Sequence, residues 1–488
     1  MGTVEFSCDL SQQGTELVHC WEHTVGSCHA PTALRADWQQ QLRRCRSELG
    51  IRYVRFHGLL SDDLGTVVNH HDALLYSFFN ADQIIDFLLS IGMRPFVELS
   101  FMPTALASGS ETVFRYRGNV TPPRNYAQWS TLIDTLVSHW VERYGVQEVA
   151  EWFFEVWNEP NLKAFWSGTR NDYFKLYQIT AGAIKKVDPS LKVGGPATAR
   201  DGWIEEFLAF CEAERVPVDF VTTHHYPTDT AGNETDAPAH EDDDTETQLA
   251  NSRRGVLREW TEETRRRAGQ IPVYYTEWNT SSNPRDPRHD EPYAAAFVAK
   301  TALEVSDLVE GYSFWTFSDI FEESYFPSVP FHGGFGLLTL HGVAKPTYRA
   351  FELLHKLGKE RLLVDGLHDT VNAWVTRDEA RVTVLLVNHA LPQHSIARVL
   401  VRVHLSHAPE PATAWIERID EDHANAKRRW QALGAPEYLD GAAVAQLHEA
   451  SRVTRQACPW TWHDGRIALG IELPPHAVAA LTVELTRA

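Results

Sequence analysis

Two glutamates close apolar, β-rich runs in this chain. Glu159 lies in Val156-Trp157-Asn158-Glu159-Pro160-Asn161, and Glu277 in Val273-Tyr274-Tyr275-Thr276-Glu277-Trp278. A carboxylate at the end of a buried strand is disfavoured by desolvation unless something there uses its charge. Two such groups over one cavity suit hydrolysis of a glycosidic bond: one carboxyl protonates the leaving oxygen and the other supports an oxocarbenium-like centre. A separation of about 5–5.5 Å gives retention through a covalent intermediate. A nearby carboxylate raises the pKa of the less well hydrogen-bonded partner, which becomes the acid. Glu159 is assigned as acid/base and Glu277 as nucleophile. Either alone fits an ordinary loop residue; the two together in this arrangement do not.

Other strand-end residues fit the same picture. Asn158, beside the acid, can hydrogen-bond a sugar 2-hydroxyl, a contact that strengthens in the transition state. Trp315 is followed by Glu322 and Glu323; the indole can floor a pocket and the carboxylates can accept hydrogen bonds from outer hydroxyls. His57, His224 and Tyr226 are candidates for hydroxyl contacts or for orienting Glu277. Arg55, Glu98 and Glu155 fall inside strands and read as a buried, mutually compensating charge set beneath the pocket. A metal-dependent hydrolase barrel wants His-x-His on the first strand, where this chain has His19-Cys20-Trp21-Glu22-His23, so no metal is expected. No cofactor is expected either.

The elements that must position these groups are legible as eight short apolar runs, at residues 19–25, 51–57, 94–100, 153–158, 191–195, 218–224, 272–278 and 311–317, alternating with helical patterns. Asn80 is placed as the cap of one helix and Gly92 as its stop; Trp129, Leu132, Leu136 and Trp140 mark another, ending at Gly145. Eight β-then-α units predict an α/β fold, a closed (β/α)8 TIM barrel with active groups at the C-terminal strand ends. No Gly-x-Gly-x-x-Gly follows a strand, which weighs against a nucleotide fold. After about residue 355 the pattern turns to period two, as in Val382-Thr383-Val384-Leu385-Leu386-Val387, and predicts a C-terminal antiparallel β-sandwich. Helical stretches at 425–433 and 441–449 interrupt it, and residues 3–8 alternate as an added strand. The expected division is a catalytic barrel at 16–354 and an accessory β-sandwich from 1–15 plus 355–488, with a short helical insertion.

Composition narrows the partners. The 488 residues carry 65 acidic and 45 basic side chains, a formal charge of -20, whose field repels nucleic acid and anionic membranes. The 16 tryptophans offer flat faces for a hydroxyl-rich ligand. Six scattered cysteines show no paired spacing, and neither a signal peptide nor an apolar run long enough to span a membrane is evident, so a cytoplasmic protein with reduced thiols is expected. The acidic stretch at 237–246 reads as a solvated loop.

The chain resembles glycoside hydrolase family 39, and within it the bacterial β-xylosidases. The resemblance runs through nearly the whole sequence. It is carried by Arg55-Phe56-His57-Gly58-Leu59-Leu60-Ser61-Asp62-Asp63, Pro95-Phe96-Val97-Glu98-Leu99-Ser100-Phe101-Met102-Pro103, Gly118-Asn119-Val120-Thr121-Pro122-Pro123, Glu155-Val156-Trp157-Asn158-Glu159-Pro160-Asn161-Leu162-Lys163, Thr276-Glu277-Trp278-Asn279-Thr280-Ser281, Phe314-Trp315-Thr316-Phe317-Ser318-Asp319 and His332-Gly333-Gly334-Phe335-Gly336-Leu337. It implies a barrel with a β-sandwich, retention, an acid/base matching Glu159, a nucleophile matching Glu277, and sugar contacts matching Asn158, His224, Tyr226, Trp315, Glu322 and Glu323. Trp278 and Thr223-His224-His225 depart from the β-xylosidase pattern, which puts the shape of the leaving-group side in question. Trp166 is placed at the entrance, and Phe114 and Tyr116 as its wall. The family also holds α-L-iduronidases, whose substrate carboxylate needs a basic partner; no Lys or Arg stands beside the strand-eight block, so a neutral pentose is preferred. The expected activity is exo-β-1,4-xylosidase action on xylobiose and short xylo-oligosaccharides. The alternatives are an α-L-arabinosidase, or a dual-specificity pentosidase, and a non-catalytic sugar-binding barrel.

Overall fold

The computed structural model describes residues 2–71, 73–231, 244–379 and 381–486. Eight parallel strands close into a barrel in chain order: β1 Thr24–His29, β2 Tyr53–His57, β3 Arg94–Glu98, β4 Phe153–Glu155, β5 Lys192–Thr198, β6 Phe220–His224, β7 Val273–Trp278 and β8 Gly311–Phe314. Helices Ala36–Leu49, Phe79–Ser90, Tyr126–Tyr144, Arg170–Val187, Ile204–Glu214, Val256–Ala268, Pro292–Val305 and Pro346–His355 follow them in turn. This is the (β/α)8 architecture.

Local chemistry explains the helices. Tyr126–Tyr144 buries Trp129, Leu132, Ile133, Leu136, Val137 and Trp140 on one face, and the Asn125 side chain accepts from the N–H groups of Ala127 and Gln128. Arg170–Val187 starts with a capping box between Thr169 and Asp172. Asn80 does not cap its helix, which begins one residue earlier; its amide donates to Leu64 O at 2.8 Å and ties the helix to the preceding loop.

Two strand ends differ from expectation. The run at 19–25 is mostly not strand: Cys20–Glu22 form a 3-10 turn in which Cys20 and Trp21 are buried, so burial without pleating mimicked a strand and β1 starts at Thr24. β4 stops at Glu155, which leaves Glu159 four positions past the ladder.

The barrel interior is layered by the two-residue strand period. Tyr53, Phe96, Phe153 and Phe220, with Tyr274 against them, fill the base. Two positions further along each strand stand Arg55, Glu98, Glu155, Thr222 and Thr276, all buried. The aromatic plug below and the pocket above thus sandwich a polar layer. β7 breaks this alternation: Thr223 pairs with Tyr275, but the next residue, His224, pairs with Glu277. The extra residue lets both Thr276 and Glu277 turn inward, as β-bulges beside active sites do.

Apart from two short hairpins, Val67–His70 with Ala73–Tyr76 and Thr112–Val113 with Gly118–Asn119, the remaining strands form two facing sheets. One has seven strands, ordered Thr15–Glu16, Glu360–Leu362, Val371–Asp378, Arg381–Asn388, Ala477–Leu485, Pro411–Ile419 and Gln456–Ala457. The other orders Gly2–Asp9, Val399–Ser406, Arg466–Leu473 and Trp460–His463. Phe6, Val401 and Leu469 from one sheet share a core with Val375, Val384 and Leu481 from the other. The smaller sheet is mixed, because Gly2–Asp9 runs parallel to Val399–Ser406. Helices Ala426–Ala432 and Gly441–Ala450 interrupt this half. Of the acidic stretch, residues 237–243 lie outside the described residues. No helix among the described residues is long and apolar enough to cross a membrane.

Candidate active site

A cavity of about 520 Å³ opens at the C-terminal strand ends, lined by His57, Phe114, Asn158, Glu159, His224, Tyr226, Glu277, Trp315 and Glu323 among others. A larger cleft, about 850 Å³, lies between Glu291–Tyr293 and the smaller sheet. It is crossed by ion pairs such as Lys427–Glu291 at 2.8 Å and Arg428–Asp422, and neither Glu159 nor Glu277 lines it.

Glu277 is held as an anion acceptor. Arg55 Nη1 donates to its Oε1 at 2.8 Å, and the Tyr226 hydroxyl donates to its Oε2 at 3.0 Å. The same guanidinium reaches Glu98 at 2.8 Å, Glu155 at 2.5 Å and Asn158 Oδ1 at 2.9 Å. Burial disfavours the Arg55 charge, but the surrounding carboxylates more than offset it and hold its pKa up. Burial also opposes ionisation of Glu98, yet Arg55 and His57 keep its carboxyl below the usual range. His57 Nδ1 lies 2.7 Å from Glu98 Oε2, and its Nε2 faces the cavity 3.7 Å from both Glu277 and Glu323. The buried charge set expected beneath the pocket therefore reaches directly into it.

Glu159 sits in a different environment. Its backbone is left-handed (φ 45°), as is that of Trp157 (φ 74°), and its N–H donates to Ala197 O at 2.7 Å. Such conformations are disfavoured for side-chain-bearing residues and cluster at functional sites. Burial pushes its pKa up to about 7, against the lowering effect of His57, Arg55 and Arg200. The cause is desolvation first, not the neighbouring carboxylate invoked from sequence.

A hydrogen-bond chain matches that protonated state. The Thr276 hydroxyl donates to Glu155 Oε1 at 2.8 Å, which leaves its oxygen to accept from His224 Nε2 at 3.0 Å. His224 Nδ1 then carries a lone pair, 2.9 Å from Glu159 Oε1, and can accept the carboxyl proton. Burial lowers the His224 pKa to about 4, so the ring is neutral at pH 7.

A carboxylate oxygen of Glu159, one of Glu277 and a ring nitrogen of His224 lie within 4.8 Å of one another. That spacing falls at the retaining end of carboxyl separations and is shorter than the roughly 6.5–9.5 Å that leaves room for an inverting water. A metal ion can bridge the same three groups. Glu277 already has a cation, Arg55, on one oxygen and a phenol on the other, an arrangement suited to an anionic nucleophile.

The other expected contacts divide. Asn158, His224, Tyr226, Trp315, Phe114 and Glu323 line the cavity. Glu323 is buried beside Glu277, Glu159 and Glu98; desolvation and these like charges raise its pKa well above the carboxylate range, and its Oε1 makes no hydrogen bond among the described residues. Glu322 turns away to His29, 3.4 Å from its Nδ1. Trp166 is not at the entrance: it is fully buried against Trp157 and Tyr173, and its Nε1 donates to Thr169 O at 3.0 Å. Tyr116 stacks on His29 at 3.7 Å behind the wall. Sequence reasoning missed Thr276, Arg200 and Asp229, which complete the site. Thr276, adjacent to Glu277, was the one with a local signal.

A parallel barrel with two carboxyl groups this close at its C-terminal mouth defines a two-carboxylate glycoside hydrolase. The family model for glycosyl hydrolases family 39 matches residues 4–468, and the chain belongs to that family. It is 49% identical over 470 residues to a β-xylosidase of Caldicellulosiruptor saccharolyticus, covering 95% of each chain. It is 38% identical over 487 residues to a β-xylosidase of Geobacillus stearothermophilus, covering 96% of this chain and 93% of that one. The solved family 39 β-xylosidase of Caulobacter crescentus superposes with a TM-score of 0.81 at 33% identity, covering 98% of this chain and 99% of that one.

Proposed function

We propose that the protein is a retaining exo-β-1,4-xylosidase that releases xylose from the non-reducing end of short xylo-oligosaccharides. The observation that carries this is the approach of Glu159 and Glu277 within 4.8 Å in opposite environments, one with its pKa raised to about 7 by burial and one held by Arg55 and Tyr226. Glu277 attacks the anomeric carbon while Glu159 gives its proton to the leaving oxygen, forming a glycosyl-enzyme. Glu159 then takes a proton from water, whose oxygen bonds the anomeric carbon as the bond to Glu277 breaks, releasing the sugar. His57, Asn158, Trp315 and Glu323 hold the ring hydroxyls, and the protonated Glu323 carboxyl can donate as well as accept.

The β-xylosidase names of relatives at 49% and 38% identity support the substrate. The site residues all fall within 16–354, which supports reading that part as the catalytic unit and 1–15 plus 355–488 as accessory, although Thr15–Glu16 already pairs with Glu360–Leu362. Six buried, unpaired cysteines are consistent with a reducing, cytoplasmic setting.

Xylobiose digestion followed by NMR tests the reading. β-Xylose as the first-formed anomer is expected. The α-anomer would refute retention, and turnover of nitrophenyl α-L-arabinoside with none of the xyloside would move the activity to the alternative pentose.

A further inference from the structure

The catalytic cavity holds one more carboxyl group. Asp229 and Arg200 both line it. Asp229 lies in the 3-10 turn Pro227–Ala231 that follows Tyr226, and its Oδ2 accepts from the Tyr226 N–H at 2.8 Å. Its own N–H donates to Tyr226 O at 2.9 Å, so side chain and backbone grip the same residue. That residue is the one whose hydroxyl donates to Glu277 Oε2 at 3.0 Å.

Arg200 connects this grip to the other half of the site. Its Nε lies 3.5 Å from Asp229 Oδ1. Arg200 and Asp201 are left-handed (φ 59° and 53°), and the segment is pinned from behind, where Asp201 Oδ1 accepts from the Tyr275 hydroxyl at 2.6 Å and from Thr264 at 3.0 Å. Its front edge is tied to the loop bearing Glu159: Ala197 O accepts the Glu159 N–H at 2.7 Å, and Asn161 bonds both the N–H and the carbonyl of Ala199 at 2.9 Å. One braced segment after β5 therefore touches the supports of both glutamates.

We propose that Asp229 is a positioning residue for the double displacement: through the Tyr226 backbone it keeps the phenol on Glu277, and Arg200 anchors it to the segment that holds Glu159. The proposal rests on the xylosidase reading for the role of Glu277. An aspartate at this turn position can equally serve as a plain cap on the Tyr226 N–H, and the two roles differ in what substitution does to kcat.

The test is a double-mutant cycle of Asp229→Ala and Tyr226→Phe, read as kcat on dinitrophenyl β-xyloside, whose departure needs no proton from Glu159. Asp229→Ala should lower kcat about tenfold to a hundredfold, the range for a misplaced reacting group. Added to Tyr226→Phe it should cost little more, because both act through one contact. Asp229→Asn, which keeps an acceptor for the Tyr226 N–H, should recover most of the loss. Melting temperatures of all variants separate unfolding from misplacement. A wild-type kcat in folded Asp229→Ala, or losses that simply multiply in the double variant, would overturn the proposal. A wild-type enzyme inert on the xyloside but active on another aryl glycoside would refute the substrate assignment alone, and the same cycle on that glycoside still decides the role of Asp229.

Discussion

Arg55 Nη1 stands 2.8 Å from Oε1 of Glu277, and the same guanidinium binds Glu98 and Glu155 with no exposure to solvent. One cation thus serves three buried carboxylates, and the placement of Glu277 depends on a network that also holds the barrel interior together. Removing it with Arg55→Leu leaves those anions uncompensated, which destabilises folds by about 3–5 kcal/mol. Urea denaturation should show that loss. The surviving folded enzyme should lose its pre-steady-state burst because Glu277 loses the Nη1 donor that holds its Oε1 in place. Arg55→Lys should be intermediate, since an ammonium cannot fork between several partners.

The raised pKa of Glu159, about 7, fixes the direction of the pH profile. An acid must carry its proton, so kcat/KM should decline as pH rises through about 7. Glu159→Ala should abolish that limb and slow poor leaving groups far more than dinitrophenolate. Azide should restore activity as glycosyl azide of retained configuration. An unchanged alkaline limb in Glu159→Ala would remove Glu159 from the acid role.

Thr276 sets the tautomer that suits this acid. Thr276→Val takes away the acceptor for His224 Nε2, frees the ring to donate from Nδ1, and so favours ionised Glu159. The alkaline limb should shift to lower pH and nitrophenyl xyloside turnover at pH 7 should drop, with dinitrophenyl xyloside little affected. A limb that stays in place would show that Thr276 only fills space.

His23, in the barrel base, stacks on Tyr53 at 4.6 Å. Burial, aided by Arg52 and Lys192, lowers its pKa from 6.5 to about 3. Below pH 6.5 the unfolded chain takes up a proton that the folded chain refuses, so the stability from neutral His23 is full above 6.5 and is lost as pH falls toward 3. Melting temperature should fall between pH 7 and pH 4, and less steeply in His23→Asn. Equal slopes in both proteins would exclude His23 as a source of acid sensitivity.

Several features were legible without coordinates because they are local or periodic. Strand and helix periods are set by backbone geometry, which is why the spacing of Trp129, Leu132, Leu136 and Trp140 marked a helix, whereas the cap placed at Asn80 did not hold. The misplacement of β1 has the opposite origin: Cys20 and Trp21 are apolar because they are buried, and burial is shared by turns and strands alike. Trp166 misled for a related reason, since an indole near a catalytic loop serves packing as readily as sugar stacking.

The sequence by itself determined the barrel, its second β-rich half and the pairing of Glu159 with Glu277, because residue spacing dictates which side chains a strand points inward, though not that β4 stops at Glu155. Only the tertiary structure decided how those glutamates differ. The bulge in β7 that turns Glu277 onto Arg55, the burial that raises the pKa of Glu159, and the reach of Asp229 and Arg200 around the rim join residues tens to hundreds of positions apart. Distances and desolvation of that kind exist only once the chain has closed on itself.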